Sequence, residues 1–236
     1  MRVNKEFFIK ELEYSEEEII KMTKILPEIY GLSIENIKIK IQDMEEIGYT
    51  KEEILKMTKS SPSIYGYSIE KIKTKIQDMK EIGYTKEEIL KMTKSLPTIY
   101  SLSIENMKIK IQDMEEIGYT KEEILKMTKS LPTIYGLSIE NIKDKINVVE
   151  KMEEIQEDKK YYVKNPKDLM QSALLTYARV KETGTFKDAF LSNSLFSKKY
   201  GEGTDNKSLK EKYKDEYEKF KESISVEVKL EGEEHD

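Results

Sequence analysis

Four columns of lysine recur at an interval of 35 residues. They are Lys21, Lys56, Lys91 and Lys126; Lys24, Lys59, Lys94 and Lys129; Lys38, Lys73, Lys108 and Lys143; and Lys40, Lys75, Lys110 and Lys145. An ammonium group is a flexible point charge with three donors, suited to a phosphate oxygen or to a carboxylate. The first two lysines of each interval stand three residues apart, which on a helix places them on one face. Stacked copies of that helix would turn the pairs into a ladder able to follow a phosphate backbone. Two glutamate columns are equally regular: Glu17, Glu52, Glu87 and Glu122, and Glu18, Glu53, Glu88 and Glu123. They offer competing partners, because spacings such as Glu52 to Lys56 and Glu88 to Lys91 allow ion pairs along one helix.

Little else in the chain suggests chemistry. His235 is the only histidine and sits in an acidic tail, and there is no cysteine, no GxxxxGK loop and no HExxH. The adjacent glutamates fall in the first turn of predicted helices, where capping and the helix dipole account for them without a metal. No catalytic residue, metal or cofactor is expected, and the chain reads as a non-enzyme; a metal-dependent nuclease lacks the carboxylate–histidine cluster it would need. Tyr30, Tyr65, Tyr100 and Tyr135 form an aromatic column that would serve either base stacking or the core, and core is the better reading, with the hydroxyl reaching an edge. Arg179 either donates to a phosphate or closes the end of the fold. The columns that vary, at Ile39, Thr74, Ile109 and Asp144 and at Glu28, Ser63, Thr98 and Thr133, would carry any positional code, or record drift after duplication.

Composition narrows the partners. The chain has 236 residues, 37% of them charged, and a formal net charge of −5, so it has no bulk attraction to nucleic acid or to an anionic membrane. Arg2 and Arg179 are the only arginines, which disfavours bidentate reading of guanine. The same shortage is what an AT-rich coding sequence produces. The N-terminus is too acidic for a transit peptide, and no run approaches the roughly 18 apolar residues of a membrane span. A cytoplasmic location is expected, with no membrane partner.

The elements that must position the lysines are legible from Pro27, Pro62, Pro97 and Pro132, also 35 residues apart. A period of this size marks a solenoid whose units bury their apolar faces only by stacking. In the second unit Gly48 ends a helix and Thr50 caps the next in a capping box with Glu53, as do Ser15 with Glu18, Thr85 with Glu88 and Thr120 with Glu123. Ile54, Met57 and Thr58 lie on one face of a helix running to about Lys59. Pro62 then forces a short turn through Tyr65. Ser68 caps a second helix with Ile69, Ile72, Ile76 and Met79 inward, which stops at Gly83. Only the SISVEVKL run near the C-terminus has strand character.

Proline between the two helices of a unit, the lack of tryptophan and the absence of a glycine-rich loop argue against tetratricopeptide, pentatricopeptide and TALE-like repeats. The pattern resembles the mitochondrial transcription termination factor (mTERF) repeat, LxxxPxxLxxxxxxLxxxxxxLxxxGxxxxxI. Its positions are Thr58, Pro62, Tyr65, Ile72, Met79, Gly83 and Ile89 in the second unit, and Thr23, Pro27, Tyr30, Ile37, Met44, Gly48 and Ile54 in the first. Threonine replaces the first leucine and tyrosine the second. Pro166, Leu169, Val180, Gly184 and Phe190 continue the pattern in degenerate form.

The expected architecture is an all-α solenoid, right- or left-handed, of mTERF-like repeats of about 35 residues with a divergent C-terminal cap. Its parts are an N-terminal cap (1–13), four repeats (14–152), degenerate repeats (153–201), and a charged helix near Lys207 to Glu222 with a frayed tail (202–236). The resemblance implies binding to DNA or RNA. The residues expected to carry it, on a concave face, are Lys21, Lys24, Lys56, Lys59, Lys91, Lys94, Lys126, Lys129 and Arg179. The competing expectation is a protein-binding scaffold or an acidic inhibitor.

Overall fold

Local sequence and tertiary packing agree in each 35-residue interval, and the result is two helices joined by a 3₁₀ turn. The computed structural model describes residues 2–155 and 157–233, with side chains at 5–155 and 157–224. Helix α1 is Arg2–Lys10. The repeats follow as α2 (Glu16–Ile25) and α3 (Ile34–Ile47), α4 (Lys51–Ser60) and α5 (Ile69–Ile82), α6 (Lys86–Ser95) and α7 (Ile104–Glu116), then α8 (Lys121–Ser130) and α9 (Ile139–Lys151). Pro27–Gly31, Pro62–Gly66, Pro97–Ser101 and Pro132–Gly136 are the 3₁₀ turns within the pairs. The divergent region holds α10 (Tyr161–Lys164), a 3₁₀ turn at Pro166–Met170, α11 (Ala173–Thr183), α12 (Asn193–Tyr200), α13 (Asn206–Lys212) and α14 (Lys214–Glu233). Among the described residues there is no strand.

The helix starts obey the capping logic. Ser15, Thr50 and Thr85 each accept from the third backbone amide of the helix while the glutamate there accepts from the cap amide, and Thr120 does the same with Glu123. The helix ends are equally specified. Gly48 sits at φ +120° and Gly83 at φ +127°, a backbone region that a Cβ disfavours. A Cβ on Gly48 would also stand 3.4 Å from the Leu90 side chain, so the glycine lets a leucine of the second repeat after it lie flat on the turn.

The chain forms two compact units. One comprises Met1–Ile111 and Lys129–Tyr135, the other Gln112–Thr128 and Gly136–Asp236. In the first, α4 packs between α2 and α6, and α3 packs on α5. Its core is a set of columns: Ile19, Ile54 and Ile89; Met22, Met57 and Met92; Ile37, Ile72 and Met107; Met44 and Met79. In the second, α11 is the hub, packing against α9, α13 and α14.

The C-terminal segment departs from the expected layout. The SISVEVKL run is not a strand but part of α14, which continues through the expected tail to Glu233. Tyr217, Phe220 and Ile224 stand at helical spacing, and Tyr217 and Phe220 pack their rings on Tyr177. A lone strand would have left its backbone unpaired, whereas a helix pairs it internally. His235 lies outside the described residues.

Candidate nucleic-acid interface

Helices α2, α4, α6 and α8 carry the first two lysine columns, and the structure separates them by role. Lys21, Lys56 and Lys91 are exposed near the middle of their helices, and no carboxylate in the described structure lies within ion-pair distance of them. Lys126 is exposed at the same position of α8. One turn later the second column is engaged. Lys59 pairs with Glu18 at 3.0 Å, Lys94 with Glu53 at 2.6 Å and Lys129 with Glu88 at 2.8 Å. Each pair joins a lysine to the capping glutamate one repeat earlier, rather than to a glutamate of its own helix as the spacing had allowed.

Those glutamates do two jobs at once. Glu53 Oε2 accepts from the Thr50 amide at 3.1 Å while Oε1 accepts from Lys94, and Glu88 divides its oxygens the same way between Thr85 and Lys129. The lysine first, and then the cap amide, hold the Glu53 and Glu88 carboxyls below the usual carboxylate range. For Glu18 the Ser15 amide acts first and Lys59 second. At the end of the series Lys160 takes Glu123, at 3.2 Å.

Three of the four lysines of the fourth column are buried, and Lys110 is half-buried. Lys40 and Lys75 are 7% exposed and donate to the carbonyls of Tyr67 and Leu102, one repeat ahead. Lys145, 3% exposed, donates to the Leu169 carbonyl at 2.6 Å. Burial pushes these ammonium groups down from the ordinary lysine range. They are clamps that satisfy a carbonyl left over at the end of each 3₁₀ turn. In the third column Lys38 pairs with Glu11 at 3.0 Å.

In the tyrosine column Tyr65, Tyr100 and Tyr135 are core, as expected, while Tyr30 is half-exposed, and the hydroxyls of the buried ones are not at an edge. Tyr65 and Tyr100 meet tyrosines from an earlier turn: Tyr14 Oη lies 2.9 Å from Tyr65 Oη and 2.6 Å from Thr58 Oγ1. Tyr49 makes the same pair of bonds with Tyr100 and Thr93, and Tyr84 meets Tyr135. Thr58 and Thr93 are fully buried and also donate to their own helix backbone. Threonine in place of one leucine and tyrosine in place of the other are therefore a single change, made twice over in each interval: together they build a hydroxyl cluster. Tyr14, Tyr49 and Tyr84 escaped sequence reading, although each directly follows the helix-ending position in every interval.

Arg179 is not available to a phosphate. It is 1% exposed, and its guanidinium donates to the carbonyls of Ala189 and Leu191 and to Asn206 Oδ1 at 2.8 Å. The group also stacks 4.3 Å over the Phe196 ring. It ties α11 to the segment before α12 and to α13, so of the two alternatives it closes the cap.

A groove between α4 and α6 is lined by Glu53, Lys56, Met57, Lys91, Lys94 and Ser95. Among the described residues no group of three or more His, Cys, Asp or Glu side chains is placed to hold a metal ion, and no helix is long and apolar enough to cross a membrane. The mTERF family model matches residues 1–81 and again 44–173, well over half of the chain. The chain belongs to the mTERF family. That family consists of non-enzymatic helical repeats and is known for binding nucleic acids. In this chain hydroxyl clusters and lysine clamps join the repeats. No curated protein matches the sequence.

Proposed function

We propose that this mTERF-family protein binds nucleic acid without catalysis, through phosphate contacts from Lys21, Lys56 and Lys91. The observation that carries the reading is the division of labour between adjacent lysine columns. Lys59, Lys94 and Lys129 have carboxylate partners. Lys21, Lys56 and Lys91, one turn away, are exposed with none. A charge that stabilises no neighbour, repeated once per layer, is suited to a ligand with repeated opposite charge. Neighbouring helices pack about 8–10 Å apart, so the ladder offers one ammonium per layer and no planar fork for reading a base edge. Binding is therefore largely independent of base sequence. Lys24 stands at the position that Lys59 and Lys94 use between repeats, and Arg179, which is buried, takes no part.

Fluorescence anisotropy with labelled single-stranded RNA, single-stranded DNA and duplex DNA tests the reading. Each phosphate neutralised contributes about −0.7 to −0.9 to the slope of log K against log salt. Replacing Lys56 and Lys91 together by glutamine should flatten that slope by about 1.4 to 1.8, whereas replacing Lys59 and Lys94 should leave it close to wild type. An equal effect of the two pairs would defeat the assignment. Failure to bind any of the three at low salt would favour a protein-binding scaffold or acidic inhibitor, which the net charge of −5 suits.

A further inference from the structure

The first repeat presents, open to solvent, the joint that the other repeats bury. Thr58, Thr93 and Thr128 are buried, as are Pro62, Pro97 and Pro132 and the tyrosines Tyr65, Tyr100 and Tyr135. Their counterparts in the first repeat are not: Pro27 is exposed, and Thr23 and Tyr30 are half-exposed. Ile20, on the same side of α2, is 55% exposed, whereas Leu55, Leu90 and Leu125 at its position are half-buried. Lys24 is exposed and pairs with no carboxylate among the described residues, whereas Lys59, Lys94 and Lys129 each have one. All five positions change together, so the exposure belongs to one face rather than to scattered side chains.

The chain itself shows what fits such a face. Against Thr58, Lys59 and Tyr65 lies the segment Tyr14 to Glu18, whose tyrosine hydroxyl bonds the threonine and tyrosine and whose capping glutamate takes the lysine. Against Thr93, Lys94 and Tyr100 lies Tyr49 to Glu53, with the same three contacts. Leu90 rests on Gly48 just before it.

We propose that the face formed by Ile20, Thr23 and Lys24 of α2 with Pro27 of the following turn is a docking surface for a capped helix of this same repeat type, carried by a second polypeptide. The helix lies beside α2 as α2 lies beside α4. It presents a small residue to Ile20, a tyrosine hydroxyl to Thr23, and a glutamate at its third position to Lys24. The joint is apolar with a satisfied polar centre, so a partner without the hydroxyl or the carboxylate leaves Thr23 or Lys24 without its complement. Repeat–repeat docking of this kind extends a stack by the nearest-neighbour contacts that already hold it. The inference does not depend on nucleic-acid binding.

The test uses the full chain and a fluorescein-labelled synthetic peptide copying Gly48–Ser60. The expected result is saturable anisotropy, weakened about tenfold by Lys24→Glu in the chain and restored when the peptide carries lysine in place of Glu53. A peptide with Tyr49→Phe should also bind more weakly. Lys24 is exposed, so the variant folds like wild type, and circular dichroism checks this. Absence of saturable binding, or binding indifferent to Lys24→Glu, overturns the proposal.

Discussion

The regular repeats and the divergent C-terminal region solve the same problem, joining one helical layer to the next, by different means. Between regular repeats the joint is polar and periodic: a tyrosine–threonine–tyrosine hydroxyl cluster, a buried lysine on a carbonyl, and a lysine–glutamate pair. In the divergent region ring packing takes over, and tyrosine hydroxyls donate to carboxylates rather than to one another, Tyr161 to Asp168 and Tyr177 to Glu216. Tyr161, Phe186 and Phe190 form one cluster with centroids 5.0–5.7 Å apart, and Tyr177, Tyr217 and Phe220 form another. A single arginine, Arg179, binds there the carbonyls that lysines bind elsewhere. A hydrogen-bonded joint demands a neighbour in register, and repetition guarantees one. An aromatic joint tolerates a neighbour of irregular shape, which the end of a stack requires.

The largest effect should come from the irregular side. Arg179→Met removes the donor to the Leu191 carbonyl and Asn206 and leaves the Ala189 carbonyl only Gln171 Nε2, and chemical denaturation should register a loss of about 3 kcal/mol. A loss below about 1 kcal/mol would mean the guanidinium is dispensable and that aromatic packing alone holds this end. The nucleic-acid salt slope should not change.

On the regular side single contacts matter less because each joint has several. Tyr49→Phe removes one member of the cluster with Thr93 and Tyr100 and should cost about 1–2 kcal/mol. The same variant sharpens the comparison through pH. Burial raises the pKa of Tyr14, Tyr49, Tyr65 and Tyr100 in the folded protein. The folded chain therefore keeps protons that the unfolded chain releases near pH 10, and this stability is whole below about pH 10 and lost as pH rises beyond it. Wild type should unfold cooperatively in alkali, with tyrosinate absorbance appearing together with loss of helix, and Tyr49→Phe should make the decline shallower. Tyrosinate formation ahead of unfolding would mean the hydroxyls are open to water.

The smallest effect is expected at the surface pairs. Lys94→Gln breaks an ion pair with both partners about one-third exposed, and should cost no more than about 0.5 kcal/mol, less in high salt. A loss as large as that of Tyr49→Phe would move the weight of the joint from its hydroxyls to its charges.

The lysine columns show where sequence reading stops. Four columns of one residue type look alike in a list, yet Lys56 and Lys91 are exposed, Lys59 and Lys94 pair across repeats and Lys40 and Lys75 are buried. An offset of 41 residues between Glu53 and Lys94 has no meaning along a single helix, and becomes a contact only when repeats stack. Arg179 was open to two readings for the same reason, since burial is a property of what surrounds a side chain.

The repeat length, helix caps, proline turns and helix-ending glycines act within a few residues of chain, so the sequence by itself determined the two-helix repeat and the mTERF pattern. Which polar side chains face a neighbour and which face water depends on atoms about 40 residues away. Only the tertiary structure could decide that Thr58 and Lys75 belong to the joints, that Arg179 closes the cap, and that Lys56 and Lys91 face solvent without partners.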